Sequence, residues 1–237
     1  MIEGLSASLS ALNAFSRQVE NSSNNLANTQ TSGYKSRQVV QQTGSQGGTQ
    51  IAGVTTSLES GGLMPTGNPL DMSIIGQGFF SVSLPNGGTG YTRQGNFSRN
   101  GQGQLVDTSG NPVQPPVTIP GNASAISVDR AGVISAMIDG NANALGQLNL
   151  SLFQNPGGLE ALGGSLYVQS HSSGAPVNGF PGTGGRGEVL GGYLEMSNVD
   201  IAKESVNLLL SSSGFKASTK AIKTQEEMIG SILDLKT

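Results

Sequence analysis

Apolar residues recur at every seventh position near the C-terminal end of the chain. The row consists of Ile201, Leu208, Phe215, Ile222 and Ile229, and Ile232 adds a further apolar position near its end. A spacing of seven places side chains on one face of a helix, with a seam that drifts slowly around the helix axis. The sequence therefore predicts a long C-terminal helix that packs as a coiled coil.

The first thirty residues show a similar stripe, with apolar positions three and four apart and then seven apart. Its members are Ile2, Leu5, Leu9, Leu12, Val19 and Leu26. The pattern predicts a helix over residues 2–28, about 40 Å long at 1.5 Å per residue. Ser16 and Ser23 leave the centre of this stripe without large apolar side chains. Packing against other subunits is therefore favoured, and an ordinary surface helix on its own domain is the alternative.

Between the helices, short apolar runs alternate with turn residues. The predicted strands lie at residues 72–75, 79–84, 91–93, 96–98, 104–106, 125–128, 132–135, 147–153 and 166–168, with a weaker one within 50–58. Such spacing favours a small antiparallel β-barrel or sandwich. We expect an N-terminal helix in 1–35, an extended polar connector in 36–69, a β domain in 70–190 and a C-terminal helix in 191–237. Because both helices join the β domain from the same side, they should run antiparallel.

Composition excludes several functions. The formal net charge of −3 argues against a nucleic-acid binder, because phosphate affinity needs a basic surface. Without cysteine, the chain has no disulfide and no thiolate metal site. No apolar run is long enough for a transmembrane helix. The polar residues between Met1 and Ala14 predict no cleaved signal peptide.

No residue pattern indicates chemistry, so we expect no enzyme activity, no catalytic residues, no cofactor and no metal. Gly76-Gln77-Gly78 resembles part of a phosphate loop, but no Lys-Ser or Lys-Thr follows it, and hairpin glycines explain it better. The single histidine, His171, lies in a polar run and is expected to be structural. A secreted, β-rich module that binds glycans is the alternative from another functional class.

Several motifs resemble those of the flagellar basal-body rod and hook proteins, in the same order along nearly the whole chain. They include residues 67–71, 76–80, 91–97 and 153–159 and, at the two ends, Asn24, Asn25, Leu26, Ala27, Asn28, Gly33, Tyr34, Ser197, Asn198 and Val199. Within the family, residues 147–176 most resemble the distal rod member, and a proximal rod or accessory paralogue is the alternative.

The resemblance implies a structural subunit that polymerises helically into the hollow axial rod of the bacterial flagellum, crossing the periplasm, transmitting torque and conducting exported subunits. The implied partners are further copies of the chain, other rod and hook proteins, the bushing rings and the flagellar type III export apparatus. Nucleic acid is not among them, and the protein is not expected to be embedded in a membrane. The terminal helices would line the channel, with the β domain outside.

One segment departs from the family pattern. Residues 211–216 stand where the family has a Gln-Arg-Ala-Tyr-like sequence, and they contain three serines followed by Gly214. Glycine lowers helix propensity by up to ~1 kcal/mol. The sequence leaves open whether the C-terminal helix bends here.

Overall fold

The chain folds into a mainly β structure with one long helix at each end. The computed structural model describes the backbone of residues 2–44 and 48–234 and the side chains of residues 4–44 and 48–231. Helix α1 spans Ile2–Ala27 and helix α2 spans Ile201–Asp234. Both predicted helices are therefore confirmed. The side chains of Ile2 and Ile232, two predicted packing residues, lie outside the described residues.

The described residues also form eighteen strands and one short 3-10 helix, Pro156–Gly158. The strands are β1 (Arg37–Thr43), β2 (Thr49–Thr56), β3 (Leu63–Pro65), β4 (Met72–Ile75), β5 (Phe79–Ser83), β6 (Thr89–Thr92), β7 (Ser98–Arg99), β8 (Leu105–Val106), β9 (Val113–Gln114), β10 (Ser124–Val128), β11 (Val133–Ile138), β12 (Asn141–Gln147), β13 (Leu150–Leu152), β14 (Glu160–Gly163), β15 (Leu166–Val168), β16 (Val177–Gly179), β17 (Glu188–Gly191) and β18 (Tyr193–Glu195).

The chain divides into two compact units. The helical unit consists of residues 1–29, 36–57 and 199–237, and it holds α1, α2 and the β1–β2 hairpin. The β unit consists of residues 30–35 and 58–198. The hairpin lies in the segment that the sequence predicts to be an extended polar connector. The weak alternation of apolar residues within 50–58 corresponds to β2, whereas no alternation in the sequence indicated β1.

The β unit contains several small antiparallel sheets. The largest has seven strands in the order β14-β15-β6-β5-β13-β16, with β9 added beside β5. Strands β10, β11 and β12 form a second sheet, and β3–β18, β4–β17 and β7–β8 form two-stranded ones. Among the described strands no sheet closes on itself, so the expectation of a barrel was wrong. Strands β7, β8 and β9 have only two residues each, and bulges interrupt the pairing of β10, β11 and β12, so the strands carry no continuous ladder around a barrel.

Two apolar clusters form the core of the β unit. The larger one is fully buried and comprises Met72, Ile74, Phe80, Val82, Phe97, Leu105, Val113, Val117, Ile119, Ile134, Leu148, Leu150 and Val189. The second is aromatic, with Phe79, Tyr91, Phe153 and Tyr167 packed edge to face at centroid distances of 4.8–6.0 Å. Edge-to-face packing fixes ring orientations as well as burying area, so these contacts specify how the neighbouring strands pack.

Three charged side chains are buried together in the β unit. The Lys35 ammonium donates to Glu195 Oε1 at 2.6 Å and to the Glu59 carbonyl at 2.8 Å. The Arg93 guanidinium lies 3.6 Å from Glu195 Oε2 and donates to the Gly76 carbonyl at 2.7 Å. Burial lowers the pKa of Lys35, while the neighbouring Glu195 carboxylate acts in the opposite direction. Nothing in the sequence pattern indicated this ion cluster of Lys35, Arg93 and Glu195.

Replacing Lys35 by methionine tests the energetic role of the ion cluster. The Lys35→Met change leaves the Glu195 carboxylate buried without its closest partner, so we expect the free energy of unfolding to fall by about 3–5 kcal/mol. Guanidinium unfolding of the full chain, followed by circular dichroism, measures it. Arg130→Met is the matched control: it breaks an exposed 3.7 Å ion pair with Glu188 and should change stability by less than ~0.5 kcal/mol. Equal effects of the two changes would contradict this prediction.

Candidate subunit-packing surface

The two terminal helices pack against each other in opposite directions. Near the start of α1, a Cβ on Gly4 would lie 2.9 Å from the Gln225 amide nitrogen. In the middle, the ring of Phe15 lies against Gly214. At the other end, Asn25 Nδ2 donates to Glu204 Oε1 at 2.9 Å. Residue numbers rise along α1 as they fall along α2, so the two helices run antiparallel within the chain.

The fully buried side chains of the helix pair are small or polar. They are Ala14, Ser22 and Asn25 on α1 and Glu204 and Ser211 on α2. On α2, Glu204, Ser211, Ser218 and Gln225 are buried or half-buried at a spacing of seven, and Leu208 and Ile222 of the predicted apolar row are half-buried as well. The ring of Phe15 adds an aromatic contact with α2 at Gly214. Small side chains allow the two helix backbones to approach closely.

Asn25 joins three elements of the helical unit and is fully buried. Its amide nitrogen donates to the Arg37 carbonyl at 2.8 Å as well as to Glu204, and its amide oxygen accepts from the Arg37 N–H at 3.0 Å. The first residue of β1 is thereby fixed to α1, and both are tied to α2. Asn25, a residue of the family motif, thus has a physical role: its buried hydrogen bonds connect the elements of the helical unit.

Many large apolar side chains of the helical unit are exposed. The most exposed are Leu9 (52%), Ile201 (59%), Val206 (57%), Leu209 (68%), Leu210 (61%), Phe215 (36%), Met228 (47%) and Ile229 (39%). The β1–β2 hairpin adds Val40 (44%), Ile51 (37%) and Val54 (48%). These eleven side chains are the exposed apolar set of the helical unit. Surfaces that combine so many large apolar groups are typical of interaction sites.

The predicted packing residues fall into three groups. Those that are half-buried are Leu5, Leu12, Val19, Leu26, Leu208 and Ile222. Leu9, Ile201, Phe215 and Ile229 belong to the exposed apolar set, and Ile2 and Ile232 are outside the described side chains. The sequence interpretation missed the exposed Val206, Leu209 and Leu210. The run Leu208-Leu209-Leu210 was the available signal, because three successive helical residues cannot face a single partner helix.

The atypical serine and glycine segment does not interrupt α2, which runs without a break from Ile201 to Asp234. Ser211 is buried in the seam, and a Cβ on Gly214 would lie 2.5 Å from the ring of Phe15. The low helix propensity of this segment is therefore offset by close packing on Phe15.

The motifs at the two ends of the sequence meet within the β unit. The Asn198 N–H donates to the Tyr34 carbonyl at 3.4 Å, and the Asn198 side chain donates to the Glu59 carbonyl at 2.9 Å. Gly33 has φ +68°, and a Cβ there would lie 2.6 Å from the backbone nitrogen of Gln94. The remaining motif residues are half-buried (Leu26, Asn28, Ser197, Val199) or exposed (Asn24, Ala27).

Across residues 2–44 and 48–234, no group of three or more histidine and carboxylate side chains is arranged to hold a metal ion. Neither described helix is long and apolar enough to cross a membrane.

Three family models match successive parts of the chain. Residues 5–35 match the flagella basal body rod protein model, residues 73–136 the D1 domain of the flagellar hook protein FlgE/F/G, and residues 190–235 the C-terminal part of the flagellar basal body rod FlgEFG protein. The two terminal matches contain most of α1 and of α2.

Curated relatives match over the full length. The flagellar basal-body rod protein FlgG of Buchnera aphidicola subsp. Acyrthosiphon pisum is 36% identical over 260 residues, covering 99% of this chain and 100% of the relative. FlgG of Caulobacter vibrioides is 35% identical over 262 residues and FlgG of Bacillus subtilis 32% over 264, both covering 100% of each chain.

The chain belongs to the family of flagellar basal-body rod and hook proteins, whose rod members are structural proteins. Within that family it is a rod protein of the FlgG type, because the similarity to FlgG extends over its whole length. The resemblance to the distal rod member is thereby confirmed.

Replacing Asn25 by aspartate tests its role in the helical unit. The carboxylate cannot donate to Glu204 or to the Arg37 carbonyl, and it places a second negative charge beside a buried carboxylate. We expect the helical unit to lose about 2–4 kcal/mol of stability. Asn24→Asp is the matched control, because it makes the same chemical change at the neighbouring exposed position. Thermal unfolding followed by far-ultraviolet circular dichroism measures both, and similar shifts in the two variants would contradict the assigned role.

Substitution of two glycines in α2 by alanine should have opposite effects. Gly230→Ala has open space and should stabilise the helix by about 1 kcal/mol. Gly214→Ala places a Cβ against the Phe15 ring, so we expect the loss of packing to exceed the gain in propensity. In a Phe15→Ala background the clash is absent, and Gly214→Ala should become stabilising. The helical unfolding transition measures each effect, and the same sign for Gly214→Ala in both backgrounds would contradict the assigned contact.

Proposed function

We propose that the chain is the repeating subunit of a helical polymer, the hollow axial rod, and that the exposed apolar set of the helical unit is its contact surface between subunits. The observation that supports this proposal is the distribution of residues in the helix pair: the fully buried side chains are small or polar, whereas many large apolar side chains are exposed. Full burial of a Val, Leu, Ile, Phe or Met side chain contributes about 1.5–3 kcal/mol. Neighbouring copies would supply that burial.

The β1–β2 hairpin supports the same proposal. A two-stranded hairpin is marginally stable alone in water. Here it is tied to α1 through Asn25 and through Asn21, whose amide donates to the Arg37 carbonyl at 2.6 Å. Twelve of its fifteen strand residues are exposed, and Val39, Thr49 and Thr56 are half-buried. Contacts with adjacent subunits would cover its apolar side chains as well.

A polymer of unlimited length requires two different surfaces that complement each other without closing into a ring. The exposed apolar set lies on α1, on α2 and on the hairpin, so one copy can offer different elements to different neighbours. In the rod, we propose, the terminal helices pack as a coiled coil in which Leu9, Ile201, Phe215 and Ile229 contact adjacent copies. The heptad rows on both helices support this arrangement.

Family membership supports the wider setting. In this proposal the rod crosses the periplasm, transmits torque and conducts exported subunits. Its partners are other rod and hook proteins and the bushing rings. The chain reaches its place through the flagellar type III export apparatus.

Introducing a charge into the exposed apolar set tests the proposal. In Leu209→Asp and Leu9→Asp, a carboxylate would have to be buried unpaired in the assembled rod at a cost of several kcal/mol, so rods should be absent. Because both side chains are exposed in the single chain, its thermal stability should change by less than ~0.5 kcal/mol. Electron microscopy of basal bodies, in cells that express only the variant, measures rod formation.

Val177→Asp is the matched control for this experiment. Val177 is 60% exposed but lies on β16 of the β unit. Rods are expected to form with this variant. Normal rods from Leu209→Asp and Leu9→Asp would overturn the proposed surface.

A further inference from the structure

A groove lies between α1 and the β1–β2 hairpin, inside the helical unit. Its volume is about 500 Å³. Six of its lining residues, three from α1 and three from the hairpin, are Arg17, Glu20, Asn24, Arg37, Ile51 and Val54. The three from α1 are three and seven positions apart, so they share one face of that helix. The groove thus combines charged groups with the apolar side chains of the hairpin.

Hydrogen bonds hold the two walls of the groove together. Gln41 Nε2 on β1 donates to Gln18 Oε1 on α1 at 3.0 Å, and the Thr49 N–H on β2 donates to the Ser10 hydroxyl at 3.2 Å. With the bonds from α1 to the Arg37 carbonyl, these contacts attach both strands to the helix. The groove is therefore formed before a partner arrives, which lowers the entropic cost of binding one.

The lining of the groove carries more positive than negative charge. Arg17 forms an exposed ion pair with Glu20 at 3.0 Å, whereas Arg37 forms no ion pair with any described residue. Next to these charges the groove offers the exposed side chains of Ile51 and Val54. Guanidinium groups recognise carboxylates. A partner that fits this groove therefore combines carboxylates with large apolar side chains.

The distal part of α2 has this combination. Along the described part of α2 the exposed charges change sign, with four lysines followed by two glutamates: Lys203, Lys216, Lys220, Lys223, Glu226 and Glu227. The two glutamates form no ion pair with any described residue. Met228 and Ile229 follow them and are exposed. Glu226 and Ile229 share a helix face, because they are three residues apart. Residues 226–229 are the acidic segment.

Within one chain, the acidic segment cannot reach the groove. Gln225, which precedes the segment, lies opposite Gly4, whereas the groove is lined by α1 residues between Arg17 and Asn24. At 1.5 Å per residue, the two sites are roughly 20–30 Å apart along α1. An acidic segment that occupies the groove must therefore come from another copy of the chain.

We propose that the acidic segment of one copy docks in the groove of the next copy, with its two carboxylates towards Arg37 and Arg17 and Ile229 packed on Val54. This inference rests on the proposed function, because it pairs members of the exposed apolar set across one contact between subunits. The two surfaces differ and lie at different places along the helix pair. The contact is therefore heterologous and adds copies along the helix axis without closing. Opposite charges steer the approach and fix its register.

Reversal of charge tests the docking pair. Arg37→Glu places a carboxylate against the acidic segment, and Glu226→Lys with Glu227→Lys places two ammonium groups against the groove. Because like charges then face each other, we expect at least about tenfold fewer rods in cells that express only one of these variants. A chain with all three changes has opposite charges again and should restore the rods. Electron microscopy of basal bodies counts them.

Arg130→Glu is the matched control, because it makes the same change at an exposed position of the β unit. It should leave rods normal, and it should not restore rods to the chain with the two lysine changes. Far-ultraviolet circular dichroism of each dissociated chain checks that the helices are kept, since every altered side chain is exposed. Normal rods from both reversals, or no rods from a folded chain with all three changes, would overturn the docking pair.

Cross-linking tests the same contact without altering charge. The chain has no cysteine, so Val54→Cys and Ile229→Cys together introduce its only two thiols. After air oxidation of basal bodies we expect a ladder of disulfide-linked multimers on a non-reducing gel, because each copy links to two neighbours through different surfaces. Either substitution alone should give no ladder.

The outcomes of cross-linking separate this inference from the proposed function. Rods that yield no ladder would overturn the docking pair and leave the exposed apolar set as the contact surface, which the Leu209→Asp variant tests on its own. Dimers from either single substitution would indicate contact between identical surfaces and would likewise overturn the docking pair.

Discussion

Small and polar side chains occupy the most deeply buried positions between α1 and α2, while many large apolar side chains of the same helices are exposed. Asn25, Glu204 and Ser211 are buried. Leu209 and Leu210 are accessible to solvent. Within one chain this arrangement forgoes hydrophobic stabilisation. In the proposed rod, neighbouring copies would cover the exposed apolar set.

The polar seam also gives specificity that apolar packing alone would lack. An apolar seam with a repeat of seven can slide by one heptad at little cost, whereas the hydrogen bond between Asn25 and Glu204 exists in only one register. A single buried polar residue is a well-attested way to fix register in helix pairs. The contact of Phe15 with Gly214 acts similarly, because a bulky residue in place of the glycine could not be accommodated. Register in turn decides which apolar side chains each neighbour meets.

The β unit has an apolar core and a separate polar centre. Its larger apolar cluster lies around Phe80 and Leu150, and Leu58 packs on the aromatic cluster. The ion cluster joins three chain segments that are distant in sequence, because Lys35 bonds both Glu195 and the Glu59 carbonyl. Burial lowers the pKa of Lys35, and the Glu195 carboxylate acts in the opposite direction.

The sequence by itself determined the two terminal helices, most of the strands, the antiparallel direction of the helix pair and the family. These features depend on local periodicity, turn chemistry and chain order, which are readable within windows of a few residues. The tertiary structure alone decided which helical positions are fully buried, since Glu204 and Ser211 are buried while Ile201 and Phe215 of the apolar row are exposed. It also decided the open sheets and the ion cluster. Lys35 and Glu195 are 160 residues apart and Asn25 and Glu204 are 179 apart, so no local pattern can pair them. These residue pairs come into contact only in the folded chain.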